Sequence, residues 1–268
     1  MAEAPSIPFE PRRFRTSAEY YVRGRLAYPE RLIERVVSLT GLSGEDAVLD
    51  LGCGPGFLAV AFARYAGRVF GMDPEPEMLE AAAEYVGEEK VEFRLGSSYD
   101  LEKLTGTFRV VTMGRSFHWM DRAATLEALD RIVMPGGAVA LFRDSHLEVP
   151  QNRWREEFRA ILEPFLSKDP GHSVHGRRGP GWIPHEAVLL ESAFNQLERH
   201  SVIQRLETPV ERLIDRALSM SSTSPERLGA EMEAVTARLR EVLNGYAVDG
   251  VIVEVVESEA LVAFRISI

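Results

Sequence analysis

Short apolar runs alternate with stretches of helical periodicity along the first half of the chain. The predicted strands lie at 46–51, 67–72, 91–95, 108–113 and 137–143, and the predicted helices between them lie at 57–65, 75–85 and 122–133. Strands joined by helical crossovers pair in parallel, and the crossovers place helices on both faces of the sheet. This alternation therefore predicts a doubly wound α/β fold.

The first of these strands runs into a glycine-rich loop. Val48 to Gly56 reads Val-Leu-Asp-Leu-Gly-Cys-Gly-Pro-Gly, and Asp73 ends the next apolar run. Small residues between a strand and a helix let the backbone approach a bound nucleoside, and a downstream acid accepts hydrogen bonds from ribose hydroxyls. The pattern therefore predicts a nucleoside-type cofactor.

The spacing of the glycines indicates which kind of cofactor this is. A dinucleotide-binding loop has the spacing Gly-x-Gly-x-x-Gly, whereas here the third glycine, Gly56, comes one place early and Phe57 follows it. Asp50 stands two residues before the first glycine, Gly52. A carboxylate there would repel a pyrophosphate but would attract a cofactor that carries an ammonium and a sulfonium group. The loop therefore disfavours a nicotinamide dinucleotide.

These residues resemble the first motif of class I S-adenosylmethionine-dependent methyltransferases. The resemblance covers about 20–143, and further segments similar to that family are Gly71-Met72-Asp73-Pro74, Arg94-Leu95-Gly96-Ser97-Ser98 and Met134-Pro135-Gly136-Gly137. Phe117-His118-Trp119-Met120-Asp121 resembles the small-molecule branch that includes type 11 and trans-aconitate-like methyltransferases. Relatives usually carry an Asp before a small residue where this chain has Ser97 and Ser98, so the acid that contacts the adenine amino group is absent from that position.

The resemblance also implies how the chain is divided. It implies a Rossmann-like, mostly parallel seven-stranded sheet with an antiparallel last strand and a helical cap. The core would take 19–145, 196–206 and 249–268, and the cap 146–195 and 207–248. Residues 1–18 are rich in Pro and Arg and lack periodicity, which predicts an extended arm. Periodicity within the cap predicts helices at 154–166, 185–192, 210–220 and 225–243.

Ligands of an open parallel sheet bind beyond the carboxyl ends of the strands, so residues after each strand are candidates for binding. Together with the resemblance, this implies that S-adenosyl-L-methionine contacts Tyr20, Arg25, Asp50, Gly52, Cys53, Gly54, Gly56, Asp73, Pro74, Met78, Ser97, Ser98, Arg115 and Phe117. The resemblance assigns Tyr20 and Arg25 to the cofactor carboxylate, whereas the residues alone are equally compatible with a packed surface helix. Asp73 can bind the ribose hydroxyls or cap the following helix.

Methyl transfer to a hydroxyl or a protonated amine needs a group that removes a proton. His118, after the fourth strand, and His146, after the fifth, are the candidate bases, although His118 is also compatible with a His-Trp pair that packs the cofactor pocket. Trp119 is a candidate wall of the acceptor pocket. Arg177 and Trp182, in a Pro- and Gly-rich loop, are candidate acceptor contacts, and a solvated loop is the alternative.

Composition restricts the partners and the compartment. The formal net charge of −10 argues against a broad nucleic-acid contact, which needs clustered Lys and Arg. No apolar run approaches about 18 residues and no signal peptide is recognisable, so we expect a cytoplasmic protein without a membrane contact. Cys53 is the single cysteine, which excludes an internal disulfide. The His-x-x-His spacing at 172–175 lacks an acid or cysteine beside it, so no metal site is predicted.

The sequence as a whole predicts a methyltransferase that acts on a small molecule, by O-methylation of a hydroxyl or carboxylate. N- or C-methylation of a small molecule and a catalytically silent S-adenosylmethionine-binding protein are the alternatives. A macromolecular methyltransferase would need a basic face or a sequence signature that recognises a nucleobase. The net charge disfavours the first, and the residues after the fourth strand lack the second. The identity of the acceptor and the oligomeric state are left open.

Overall fold

The fold is known from a computed structural model, which describes residues 12–87, 90–167 and 182–265. The strands of the described part are β1 (Ala47–Leu51), β2 (Arg68–Asp73), β3 (Val91–Leu95), β4 (Phe108–Gly114), β5 (Val133–His146), β6 (Gln196–Pro209) and β7 (Val251–Phe264). They form one sheet in the order β3-β2-β1-β4-β5-β7-β6. β1 to β5 pair in parallel, and β7 lies antiparallel between β5 and β6. The predicted doubly wound sheet with an antiparallel last strand is confirmed.

Helices connect the strands and build the cap. They are α1 (Ala18–Gly24), α2 (Glu30–Thr40), α3 (Phe57–Ala63), α4 (Pro76–Val86), α5 (Arg122–Ile132), α6 (Trp154–Leu166), α7 (His185–Leu190), α8 (Val210–Leu218), α9 (Pro225–Leu228) and α10 (Met232–Asn244). Short 3-10 helices follow two strand ends, at Ser98–Lys103 after β3 and at Phe117–Trp119 after β4. These two turns border the carboxyl edge of the sheet.

The central strands are covered on both faces, as their continuous apolar runs require. Val48 packs with Leu32 of α2 and Phe62 of α3 on one face. The next residue, Leu49, packs on the opposite face with Leu129 of α5. Because successive side chains of a strand point to opposite faces, one apolar run supplies both core layers. The strand ends are thereby left as the place for ligands.

The cap has an apolar cluster of its own, to which α6, α8 and α10 contribute. α1 packs closely on α8, since a Cβ on Gly24 would lie 2.3 Å from the amide nitrogen of Arg216. The Arg216 Nε donates to the Gly24 carbonyl oxygen at 3.1 Å, and Arg23 pairs with Asp215 at 3.0 Å. These contacts attach the helix before the core to the cap.

Several boundaries differ from the sequence-based expectation. β5 continues to His146 instead of ending at 143, so His146 is the last residue of this strand and does not follow it. β5 begins at Val133 instead of 137, because Val133 pairs with Phe108 before a register shift between β4 and β5. The helix predicted at 225–243 is divided into α9 and α10 at Gly229, whose φ of 52° and ψ of −126° interrupt the helix. Glycine reaches such angles without steric cost, and helical periodicity does not reveal them.

Candidate cofactor and acceptor site

The glycine loop after β1 turns tightly against the end of β2. Gly52, Gly54 and Gly56 have positive φ angles of 68°, 53° and 85°. A Cβ on Gly52 would lie 2.5 Å from the Cβ of Ser116, so this position accepts only glycine. The Gly52 amide donates to the Met72 carbonyl oxygen at 2.7 Å. The loop is therefore held in place by the neighbouring strand and by the residue that follows β4.

Asp73 ties this loop to the end of β2. One carboxylate oxygen accepts from the Gly54 amide at 2.8 Å, and the other accepts from the Glu75 amide at 3.0 Å. Burial raises the pKa of Asp73 to about 6, although both amide bonds favour the charged form. The bond to Glu75 precedes α4 and does not cap it, because the helix begins at Pro76 and Glu75 is its N-cap residue; the alternative that Asp73 caps the helix is therefore wrong. Each oxygen has a second lone pair, so this contact does not exclude further donors.

Asp50 lies beneath the loop, at the end of β1. Its carboxylate accepts from the Ala59 amide in α3 at 3.1 Å and from the Thr112 hydroxyl in β4 at 2.9 Å. Asp50 is 1% exposed, and this burial raises its pKa to about 7. A cation held beside Asp50 would lower that pKa, because an opposite charge favours the ionised form.

A small cavity opens beside Asp50 and the glycine loop. Its lining consists of Tyr21, Tyr28, Asp50, Gly52, Cys53, Phe57, Leu58, Gly114 and Arg115. Arg115 is fixed there, because it pairs with Asp144 and donates to the Leu26 carbonyl oxygen at 2.9 Å. Burial raises the pKa of the Cys53 thiol well above its ordinary value, so Cys53 is a packing residue and not a nucleophile.

Arg25 follows the end of α1 and lies against one wall of this cavity. Its guanidinium carbon is 5.2 Å from the centre of the Tyr21 ring, and its Nε donates to the Ser219 hydroxyl of the cap at 2.7 Å. Burial lowers the pKa of Arg25, and the nearby Arg115 and Arg216 act in the same direction. Within the described ranges, no carboxylate pairs with Arg25. Such a cation is suited to an anionic ligand.

The turn after β3 carries a carboxylate that the sequence reasoning did not single out. The amide and the hydroxyl of Ser97 both donate to Asp100, at 2.8 and 3.0 Å. Bonds from Lys103 and Ser97 lower the pKa of Asp100 to about 2. The Ser-x-x-Asp spacing forms a capping box and is the signal that could have found this acid.

The first described residues cross from one side of these strand ends to the other. The Phe14 amide donates to Glu75, at the turn after β2, at 3.3 Å. The Phe14 ring lies 5.6 Å from the ring of Trp119, after β4, and the Arg13 guanidinium lies 4.5 Å from the same ring. This segment therefore partly covers the site from outside.

Aromatic rings gather around the 3-10 helix that follows β4. His118 packs against Trp119 with 4.9 Å between the ring centres, while Phe117 is buried. His185, at the start of α7, lies 5.1 Å from the Phe117 ring, and Trp182 packs on His185 at 5.5 Å. Sequence reasoning missed His185, because α7 is distant from this turn in the chain.

His146, at the end of β5, belongs to a buried polar network. Its Nε2 lies 2.8 Å from Glu254 of β7, which is fully buried. Glu254 also accepts from Thr208 of β6 and from Arg216 of α8. Burial lowers the pKa of His146, against the opposing effect of Glu254, so its ring is neutral near pH 7. The network joins the last sheet strands to the cap.

Comparison with known proteins identifies the family. A family model described as a methyltransferase domain matches residues 48–137, which carry the glycine loop, Asp73 and the turn after β4. An uncharacterized methyltransferase of Mycobacterium tuberculosis is 27% identical over 220 residues, 80% of either protein. Residues 48–137 of this chain therefore form a methyltransferase domain, within the fold that the resemblance to class I S-adenosylmethionine-dependent methyltransferases implies.

Two further similarities concern parts of this methyltransferase. An uncharacterized methyltransferase of Schizosaccharomyces pombe is 38% identical over 106 residues, which are 35% of this chain and 38% of that protein. The chain thus spans less than half the length of that relative. The crystal structure of the YcgJ protein from Bacillus subtilis matches with a TM-score of 0.54 at 20% identity, over 89% of this chain and 100% of that one. This likeness concerns the fold alone.

The structure brings many of the predicted residues of the methyltransferase to one edge of the sheet. The glycine loop, Asp50, Asp73 and Arg115 lie together, and Pro74 follows Asp73 directly. Met78 is buried on α4, and Ser98 begins the 3-10 helix after β3.

The helix before the core illustrates how the sequence reasoning missed a neighbour. Tyr20 packs with the cap cluster, and its neighbour Tyr21 lines the cavity. Tyr21 and Arg25 are four residues apart and share a helix face, which is the signal that could have selected Tyr21. Arg177 lies outside the described residues.

Neither a metal-ligand group nor a membrane-spanning helix occurs in the part of the methyltransferase that the structure describes. Nowhere in 12–87, 90–167 or 182–265 do three or more His, Cys, Asp or Glu side chains come together as metal ligands. No helix in those ranges is long and apolar enough to cross a bilayer.

Proposed function

We propose that this methyltransferase transfers a methyl group from S-adenosyl-L-methionine to the oxygen of a hydroxyl or carboxylate on a small molecule. The observation that carries the proposal is the glycine loop that Asp73 holds at the ends of β1 and β2, beside a small cavity next to Asp50. The net charge of −10 supports a small acceptor over a nucleic acid.

The described residues offer a complementary group to each part of the cofactor. Asp73 keeps lone pairs for the two ribose hydroxyls. Asp50 offers negative charge to the ammonium and sulfonium groups, and Arg25 offers a guanidinium to the carboxylate. Asp100 stands three residues after Ser97, the position at which relatives usually carry the acid that contacts the adenine amino group, and is the proposed replacement for that acid. When bound, the cofactor supplies the methyl group on its sulfonium.

The remaining task of the protein is to align the acceptor, exclude water and remove a proton. For a hydroxyl acceptor, His118 is the proposed base: its imidazole would take the hydroxyl proton as the acceptor oxygen gains the methyl group and the bond from that group to the sulfonium sulfur breaks. Trp119 beside it is the proposed wall of the acceptor pocket. His146 is the second candidate, but its Nε2 is engaged with Glu254. A carboxylate acceptor arrives deprotonated and needs no base.

Isothermal titration with S-adenosylhomocysteine, and separately with NAD and NADP, tests the cofactor assignment. We expect micromolar binding of S-adenosylhomocysteine alone. Asp73→Ala should weaken it by more than about tenfold, since two charge-assisted bonds of about 1.5–3 kcal/mol each are lost. Asp46→Ala, at the opposite end of β1, is the matched control. Binding of a nicotinamide cofactor, or unchanged affinity in Asp73→Ala, would contradict the assignment.

A screen of phenols, sugars and carboxylic acids, followed by S-adenosylhomocysteine release, tests the transfer itself. His118→Ala should retain cofactor binding and turn over much more slowly, and an unaltered rate would remove His118 as the base. Cofactor binding without turnover on any acceptor class would indicate a catalytically silent binding protein.

A further inference from the structure

The cap supplies a fixed hydrogen-bond partner to Arg25. The Arg25 Nε donates to the Ser219 Oγ at 2.7 Å, and Ser219 is 0% exposed. Ser219 stands directly after α8, and its hydroxyl donates in turn to the Arg216 carbonyl oxygen at 2.7 Å. Because its hydrogen is directed to Arg216, the hydroxyl presents a lone pair to Arg25.

Ser219 satisfies one donor of the guanidinium without neutralising its charge. The acid whose charge acts on Arg25, Asp144, is already paired with Arg115. Ser219 is neutral, so the positive charge of Arg25 remains available. The bond through Nε therefore fixes the direction of the guanidinium fork and leaves its outer nitrogens for an anion.

The backbone at Arg25 is fixed by the same helix of the cap. The Arg212 side chain donates to the Arg25 carbonyl oxygen at 3.0 Å. One residue earlier, Gly24 packs directly on the α8 backbone, where no Cβ fits. Both the position and the direction of the guanidinium consequently depend on α8.

We propose that Ser219 is a positioning residue for cofactor binding. It orients Arg25 toward the carboxylate at the amino-acid end of the cofactor and makes the cap part of the cofactor site. This inference rests on the proposed function. It adds that the cap takes part in recognising the amino-acid end of the cofactor.

Two ligands that differ only at that end test the inference. S-adenosylhomocysteine carries the amino-acid carboxylate, whereas 5′-methylthioadenosine has the same adenine and ribose without it. Ser219→Ala should weaken S-adenosylhomocysteine binding by about three- to tenfold and leave methylthioadenosine binding unchanged. Isothermal titration measures both affinities.

Thr223→Val is the matched control for loss of a buried hydroxyl near the same helix end. Thr223 is also 0% exposed, and its hydroxyl donates to the Ala217 carbonyl oxygen at 2.6 Å. The substitution removes a cap hydrogen bond of the same kind at a residue that is not bonded to Arg25. It should leave both ligand affinities unchanged.

Arg25→Lys provides a second test that does not alter the cap. Lysine keeps the charge but lacks the Nε–H that reaches Ser219, so S-adenosylhomocysteine should bind more weakly and methylthioadenosine equally well. Adding Ser219→Ala to Arg25→Lys should cause no further loss, because the two residues act through one contact.

The outcomes separate this inference from the proposed function. If the wild-type protein binds neither ligand, the proposed function fails. If it binds both and Ser219→Ala weakens them equally, or if Thr223→Val has the same effect as Ser219→Ala, then Ser219 serves cap packing alone and the inference is overturned. Unchanged S-adenosylhomocysteine affinity in Ser219→Ala or in Arg25→Lys overturns it as well.

Discussion

Asp50 gives the cofactor-free methyltransferase a carboxylate whose charge opposes folding, so Asp50→Asn should stabilise the protein. The side chain is 1% exposed, and burial raises its pKa from 3.8 to about 7. At about 1.4 kcal/mol per pH unit, this rise corresponds to roughly 4 kcal/mol of cost for the charged form in the folded state.

The sign of the pH dependence follows from the direction of the pKa change. Because the folded-state pKa lies above the unfolded value, the stability that Asp50 contributes is complete below pH 3.8 and is lost as the pH rises to about 7. Asparagine can still accept from the Ala59 amide and can donate to the Thr112 hydroxyl oxygen. The pKa of about 7 already includes the effect of both bonds on the charged form, so the net gain at pH 8 is about 4 kcal/mol.

Urea denaturation of both proteins without cofactor, at several pH values from 4 to 8, measures this gain. The difference in the free energy of unfolding should be about 4 kcal/mol at pH 8 and fall below about 1 kcal/mol near pH 4. A difference that stays constant over this range would refute the reasoning. The same variant should bind S-adenosylhomocysteine more weakly, since the attraction for the ammonium group is lost. Asp130→Asn, at a half-buried acid of α5, is the control.

Two other substitutions test how the cap is attached. Gly24→Ala should lower the free energy of unfolding by at least about 2 kcal/mol, because its Cβ would lie 2.3 Å from the Arg216 amide nitrogen. Gly44→Ala, where a Cβ would meet nothing within 4 Å, is the control, and equal urea midpoints for the two variants would contradict the packing argument. Glu254→Gln should cost about 3–5 kcal/mol at pH 7, because it leaves the buried Arg216 without its carboxylate. Burial alone would raise the pKa of Glu254, but bonds from His146 and Arg216 hold that pKa well below its ordinary value. The stability lost in Glu254→Gln should therefore shrink as the pH falls below about 4.5. A variant as stable as the wild type at pH 7 would contradict this expectation.

The core elements were predictable because local pattern and burial agree there. Each central strand is a short apolar run that must be covered on both faces, and Val48 and Leu49 do supply opposite core layers. The errors at Val133 and Gly229 have different causes. The first depends on a register shift with β4, and the second depends on a backbone angle that only glycine adopts easily.

The site was predictable where its residues are neighbours in sequence. The glycine loop and Asp73 belong to two adjacent strands, so spacing alone relates them. Ser219 reaches Arg25 across 194 positions, and Glu254 reaches His146 across 108. Such contacts depend on the tertiary packing of α8 and β7 against elements from the first half of the chain, and no local sequence pattern encodes that packing.

The packing of α1 on α8 also sets the order in which a newly made chain is completed. Arg23 and Asp215 are separated by 192 positions. At a synthesis rate of about 5–20 residues per second, roughly 10–40 s pass between the synthesis of α1 and that of α8, on which it packs. β1 to β4 can pair during this interval, since all four precede the cap. The surroundings of Arg25 are therefore among the last parts of the protein to form. A chain that stalls before α8 would expose both the glycine loop and the unpartnered face of α1.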